Sequence, residues 1–188
     1  MLTLYWSPGA SSMAPHIALY ETGAPFEAKP VLIPKGEHKR PEYLALNPEG
    51  KIPTFLIDGR IMTEVAGILW YLARRYPEAG LLPAGDIEGE AQVISWMSFC
   101  ASTIHPARRA GLERWREVFR FVEKKLGGRA WTVGSYSIAD IHLFRLYWRF
   151  VDSEHPKASD YPSLSAHYER MMARPAVRKT LEIERAVG

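Results

Sequence analysis

The hydrophobic pattern of this chain changes period once and does not change back. Up to about residue 76, short apolar runs alternate with helical stretches; beyond about residue 89, every apolar repeat has helical spacing. A chain patterned this way builds its first part around a sheet and its second part from helices alone. Its 188 residues suit one large domain or two small ones packed together.

The first part reads in detail as follows. Leu2–Trp6 is a short strand that ends at the breaker Ser7-Pro8-Gly9. Ser11 and Ser12 precede a helix containing Ile17, Ala18, Leu19 and Tyr20, with a serine near its N-cap. Thr22-Gly23-Ala24-Pro25 stops that helix, and 26–33 reads as a second strand. A helix between two strands is a crossover, so the two strands should run parallel. Residues 41–46 suit a short helical turn and 52–57 a third strand. Asp58-Gly59 is a two-residue hairpin signal, and Arg60-Ile61-Met62 returns as a fourth strand. From about Glu64, Val65, Ile68, Leu69 and Leu72 share one helical face that ends near Arg74, Arg75 and Tyr76.

This βαβ–ββα order predicts a thioredoxin-like α/β domain with a mixed four-stranded sheet over residues 1–77. Residues 78–88 read as a linker, and 89–188 as an all-α domain. Three long faces are expected there: Ile94, Met97, Ala101 and Ile104; Leu112, Trp115, Phe119, Val122 and Leu126; Ile141, Phe144, Trp148 and Val151. Shorter helices are expected at 163–173 and 175–185, the second opened by Pro175. Ser137 and Asp140 have the spacing of a reciprocal helix cap, which supports folding rather than catalysis.

Composition excludes several classes. The net charge is +3, and the one compact basic cluster, Lys35, His38, Lys39 and Arg40, is interrupted by Glu37 and Glu42. That is a solvated loop rather than a nucleic-acid stripe. A single cysteine, Cys100, allows no intrachain disulfide and is expected to be buried and inert. No apolar run reaches the roughly 18–20 residues of a membrane span, and the N-terminus lacks a signal-peptide pattern. A cytoplasmic protein with no membrane contact is expected. No spacing of His, Cys, Asp and Glu suggests a metal site.

Four segments carry a family resemblance: Tyr5-Trp6-Ser7-Pro8-Gly9-Ala10-Ser11-Ser12, Leu46-Asn47-Pro48-Glu49-Gly50-Lys51-Ile52-Pro53, Met62-Thr63-Glu64, and Gly134-Ser135-Tyr136-Ser137-Ile138-Ala139-Asp140. With them in this order, the chain resembles the cytosolic glutathione transferases, nearest to the bacterial beta-class branch. The resemblance implies glutathione as co-substrate, a small electrophile as its partner, no metal, and a homodimer. It also implies a cis peptide before Pro53, which would free the Ile52 backbone to pair with the ligand's cysteinyl residue. Glu64 would meet the ligand's ammonium, and the amides of Glu64 and Val65 its α-carboxylate. Lys51, with Lys35 and His105 as further candidates, would meet the glycyl carboxylate.

Three hydroxyls are candidates to activate the thiol, in the order Ser11, Ser12, Tyr5. A free thiol has a pKa near 8.5, and lowering it by two units takes about 2.7 kcal/mol. One charge-assisted hydrogen bond beside a helix N-terminus is of that size. Beta-class enzymes carry cysteine where this chain has Ser11, and a serine cannot form a mixed disulfide. Thiol–disulfide or peroxide reduction is therefore disfavoured, while a non-catalytic glutathione carrier or regulator stays open beside the transferase. Val65 stands where the family has a hydroxyl residue or glycine, so the backbone alone must serve there. The stretch from His105 to Arg129 is also short for the family, which leaves Arg108, Arg109 and Trp115 near the pocket wall without a defined place.

Overall fold

The computed structural model describes residues 1–187. They form two compact units, 1–79 together with the C-terminal helix, and 80–174.

The first unit is built on strands β1 (Leu2–Trp6), β2 (Phe26–Pro30), β3 (Thr54–Ile57) and β4 (Arg60–Met62). Their order is β2-β1-β3-β4. β1 runs parallel to β2 and antiparallel to β3, and β3 antiparallel to β4. The expected second strand is shorter than 26–33. Pro30 has no N–H to extend the ladder, and after Val31 N–H donates to Trp6 O at 2.7 Å the chain turns into a 3₁₀ turn at Ile33–Lys35. The third strand likewise begins at Thr54, two residues later than expected.

Helix α1 (Met13–Thr22) is buried from Met13 to Leu19, which is why its sequence shows no polar face. It ends at Gly23, whose φ of 66° a side chain would resist. Helix α2 (Pro41–Leu46) is a single short segment. Helix α3 (Val65–Arg75) turns Ile68, Leu69, Leu72 and Ala73 inward and packs on α1. The last helix of the chain, α9 (Pro175–Val187), buries Val177, Thr180, Leu181 and Glu184 and packs on α1 as well. In the expected division, 89–188 keeps this helix with the others; by contacts it belongs to the first unit.

The second unit contains α4 (Ile87–Phe99), a π-helical turn (Cys100–Ile104), α5 (His105–Ala107), α6 (Leu112–Leu126), α7 (Ile138–Glu154) and α8 (Pro162–Met172). α7 is its centre, buried continuously from Ile138 to Tyr147. α4 turns Val93, Trp96, Met97 and Cys100 inward, while the expected Ile94 is 44% exposed and Ala101 is exposed too. Two apolar registers one residue apart fit that stretch, and the one containing Trp96 buries more area. Leu112, at the first position of α6, is exposed rather than part of its face.

The helix cap expected at Ser137 and Asp140 is present and extends further. Ser137 N–H donates to Asp140 Oδ2 at 2.9 Å and Ala139 N–H to Ser137 Oγ at 3.3 Å. Thr132 N–H reaches Asp140 Oδ1 at 2.8 Å, and His167 Nε2 lies 3.0 Å from the same oxygen.

Candidate functional site

Strand register brings three sequence-distant segments to one end of the first unit's sheet. Tyr5 pairs with Thr54 and Phe55 with Met62. Counting outward, Ser7 leaves β1 beside Ile52, and Pro53 lies across from Glu64. The loop that carries Ser11, the segment that enters β3, and the start of α3 therefore meet at the same edge.

The Ser7–Ser12 loop is tied from within. Ser12 Oγ accepts from Ser7 N–H at 3.1 Å and donates to Ser7 O at 3.2 Å, and Ser12 is fully buried. This corrects the expectation for Ser12 twice. It stands at the N-cap of α1 without a side-chain cap, and its hydroxyl proton is already given to Ser7. Ser11, one residue earlier, is half-buried, and its hydroxyl has no partner among the described residues. Ser7 Oγ accepts from Ile33 N–H at 3.1 Å, which fastens the loop to the turn after β2.

A second tie reaches this loop from the far end of the chain. Gly9 N–H donates to Glu184 Oε2 at 2.9 Å, and Glu184 Oε1 lies 3.4 Å from His16 Nδ1. Both side chains of this pair are buried. Nothing in sequence spacing signals a pair 168 residues apart.

Tyr5 goes elsewhere. Successive strand residues face opposite sides. Trp6 packs its ring 5.2 Å from His16 of α1, so Tyr5 faces away, edge-on to Tyr43 at 6.0 Å. The structure does not bring the Tyr5 hydroxyl to the start of α1.

The segment entering β3 is held by three side chains that sequence reading missed. Tyr43 donates its hydroxyl proton to Lys51 O at 2.7 Å, and Asn47 Nδ2 donates to the same oxygen at 3.0 Å. Thr54 Oγ1 lies 2.7 Å from the Tyr43 hydroxyl and accepts from Asn47 Nδ2 at 2.9 Å. Burial, which outweighs the hydrogen bonds from Thr54 and Asn47, raises the Tyr43 pKa and keeps that proton in place. Gly50 is forced to be glycine: its φ is 59°, and a Cβ there would meet His38 O and Lys39 Nζ at 2.8 Å. The Ile52–Pro53 peptide is cis. Ile52 lies beyond the β1–β3 ladder, and its N–H and C=O have no partner among the described residues. Lys51 is exposed and ion-paired with Glu49 at 2.7 Å.

Glu64 caps α3 at φ 64° and ψ 123°, a conformation that costs a non-glycine residue about 1–3 kcal/mol. Its carboxylate has no partner among the described residues. The first intrahelical bond of α3 runs from Ile68 N–H to Glu64 O, so the amides of Val65, Ala66 and Gly67 open outward. A Cβ on Gly67 would meet nothing, which leaves that first turn open to an anion.

Two candidates remain. Lys35 is an exposed end of the 3₁₀ turn with no partner among the described residues. His105 belongs to the second unit, half-buried, and its charged neighbours are Arg145, Arg109 and Arg108. Burial first, then those cations, hold its pKa below the ordinary imidazole value. Cys100 is buried, and burial with the nearby Asp140 pushes its thiol far above the ordinary range. Among the described residues, no group of three or more His, Cys, Asp and Glu is placed to hold a metal ion, and no helix is long and apolar enough to cross a membrane.

This fold and this edge define a class. A thioredoxin-like unit with cis-Pro53 and an open acid-capped helix, joined to a helical unit, is the plan of the glutathione transferases. The family profile for the glutathione S-transferase N-terminal domain matches residues 10–75, and that for the C-terminal domain matches residues 91–175. Glutathione S-transferase GstA of Escherichia coli O157:H7 is 30% identical over 97% of this chain and 98% of its own. The crystal structure of a Sulfitobacter glutathione transferase homologue with bound glutathione superposes with a TM-score of 0.89 at 31% identity, covering 97% of this chain and 98% of that one. A beta-class glutathione S-transferase from Sphingomonas chungbukensis superposes with a TM-score of 0.85 at 33% identity, with the same coverage. The chain belongs to the glutathione S-transferase family.

Proposed function

We propose that this protein is a glutathione transferase, cytoplasmic and homodimeric, that joins the glutathione sulfur to a small, mostly apolar electrophile. The observation that carries the reading is the convergence of Ser11, Ile52-Pro53 and Glu64 at one end of the sheet, in a chain of this family. The Ile52 N–H and C=O pair with the peptide of the cysteinyl residue, as an added strand would. The open amides at the start of α3 take the γ-glutamyl carboxylate, and the unpaired Glu64 takes the ammonium. Lys51, with Lys35 behind it, draws the glycyl carboxylate. The sulfur then lies near the start of α1, where Ser11 is the hydroxyl with a proton still to give.

Ser11 stabilises the thiolate by a charge-assisted hydrogen bond, and the positive end of α1 adds to it. The anion attacks the electrophile, a carbon–sulfur bond forms, and the leaving group departs. Ser11 has no second thiol chemistry to offer, which sets this site apart from a disulfide reductase.

Calorimetric titration with glutathione, followed by turnover of an aryl chloride, tests the reading. Saturable binding with turnover is expected. Binding without turnover of any electrophile would favour a carrier, and the absence of binding would remove both.

A further inference from the structure

Between α2 and β3 lies a set of hydrogen bonds in which every side-chain proton can be placed. Tyr43 and Asn47 are one helical turn apart, with Asn47 N–H donating to Tyr43 O at 2.8 Å, so their side chains leave the same face. Thr54 opens β3, where it pairs with Tyr5 of β1. Tyr43, Asn47 and Thr54 are all buried. Tyr43 gives its single hydroxyl proton to Lys51 O at 2.7 Å. Of the two protons on Asn47 Nδ2, one goes to Lys51 O at 3.0 Å and the other to Thr54 Oγ1 at 2.9 Å. With the Tyr43 proton already placed, the 2.7 Å contact between the two hydroxyls is made by the proton of Thr54. Asn47 Oδ1 accepts from Glu49 N–H at 3.2 Å.

Two of these donors converge on one carbonyl, and that carbonyl shares a peptide with a group of the glutathione site. Lys51 C=O and Ile52 N–H are the two ends of a single peptide unit. The unit is trans, since the one cis bond among the described residues is Ile52–Pro53, so its C=O and N–H point in opposite directions in one plane. Holding Lys51 O against Tyr43 and Asn47 therefore turns Ile52 N–H away from them. That N–H has no partner among the described residues, and Ile52 is half-buried where the three side chains are buried. A flipped peptide would leave the Tyr43 and Asn47 donors buried without their acceptor, which is unfavourable. Two donors on Lys51 O also polarise the peptide and strengthen Ile52 N–H as a donor.

We infer that Tyr43 and Asn47, braced by Thr54, are positioning residues for glutathione: they hold the Lys51–Ile52 peptide in the orientation that offers Ile52 N–H to the carbonyl of the ligand's cysteinyl residue. This rests on the transferase reading and adds to it residues that act through the backbone. Glutathione meets a donor that is ordered before it arrives, so affinity is not lost to ordering it. The contact serves the ligand's peptide and not its sulfur, so its effect falls on binding and not on ionisation of the thiol.

Tyr43→Phe and Asn47→Asp test this in the full-length protein. Phenylalanine keeps the ring and drops one of the two bonds on Lys51 O. Aspartate keeps the size and drops both Asn47 donors. Thermal unfolding checks that each variant folds. Calorimetry should show glutathione binding weakened about fivefold by Tyr43→Phe and about tenfold by Asn47→Asp. With an aryl chloride as second substrate, the glutathione KM should rise by the same factors, while kcat at saturating glutathione and the pKa of the bound thiol stay as in the wild type. General loosening of the site would move all three together. Nuclear magnetic resonance reads the peptide itself: on adding glutathione, the Ile52 amide proton should move downfield in the wild type and by less in Tyr43→Phe. Variants that bind glutathione as the wild type does, or that alter kcat and the thiol pKa along with KM, overturn the inference and leave the transferase reading standing. So does an Ile52 amide that does not respond to glutathione in a wild type that binds it. A wild type that does not bind glutathione overturns the transferase reading and this inference with it. The calorimetry decides the matter even if no electrophile is turned over.

Discussion

Glu184, three residues from the end of the described chain, accepts the amide proton of Gly9 at 2.9 Å and so anchors the loop that carries Ser11. The other carboxylate oxygen lies 3.4 Å from His16 Nδ1 of α1, and both side chains are buried. Glu184→Ala removes an acceptor from the part-buried Gly9 N–H and the carboxylate from the buried His16 Nδ1, at about 1–3 kcal/mol for a buried group left without its partner. Urea unfolding should show the loss. Glu184→Gln keeps an oxygen for Gly9 and should retain part of the stability; a Gln variant as unstable as the Ala variant would mean that the Gly9 contact contributes little.

Ser11 and Ser12 are adjacent but should fail differently. Ser12→Ala strips both hydrogen bonds to Ser7 and is expected to cost about 1–3 kcal/mol of stability. Ser11→Ala loses no bond to the protein. It should leave the melting temperature within a degree or two while raising the pKa of bound glutathione by about 1–2 units, equivalent to about 1.4–2.7 kcal/mol. The thiolate absorbance of the binary complex, followed against pH, measures this. A Ser11→Ala complex with an unchanged thiol pKa would remove Ser11 from the activation step.

Glu64 is predicted to hold function and stability in opposition. Its φ of 64° is strained for glutamate and relaxed for glycine. Glu64→Gly should therefore stabilise the fold by about 1 kcal/mol while weakening glutathione binding about tenfold or more through loss of the ammonium's partner. Thermal unfolding and calorimetry on the same preparation check both signs. If affinity is kept, the ammonium is held elsewhere.

How much of this was legible in the sequence depends on the range of each interaction. The strands, the Asp58-Gly59 hairpin, the α3 face and the Ser137–Asp140 cap are set by neighbours within a few residues, and all of them are in the structure. Of the face expected over 94–104, Met97 and Ile104 are buried and Ile94 and Ala101 exposed, because Ile94 and Ala101 fit a helical period as well as Val93 and Cys100 do and only packing around Trp96 separates them. The site divided in the same way. Pro53, Glu64 and Ser11 lie in recognisable segments. Tyr43, Asn47 and Thr54 carry no signal as a group, because the hydrogen bonds of Tyr43 and Asn47 to Lys51 O and to Thr54 Oγ1 exist only once the chain has folded. Tyr5 and Ser12 were candidates because a sequence shows which hydroxyls are near in number. It does not show which face of β1 a residue takes, or which proton is already given away.

The pH dependence of stability should carry the mark of one buried histidine. His142 is held neutral chiefly by burial, then by Arg145 and His105, which bring its pKa down to about 3. In the unfolded chain the same imidazole titrates near 6.5. Between those values the unfolded state binds a proton that the folded state refuses, so stability rises with pH across that window. The contribution is complete above about pH 6.5 and is lost as pH falls, at about 1.4 kcal/mol per unit. His105 is shifted in the same direction and adds to the slope. His142→Gln cannot take up that proton. Its absolute stability is a poor guide, because the new amide must find partners of its own. The slope is the diagnostic quantity. Denaturant unfolding at half-unit steps from pH 7 to pH 4.5 should give a variant whose stability declines with acid by close to one proton less than the wild type. Parallel declines would show that the His142 imidazole is not kept neutral in the folded protein.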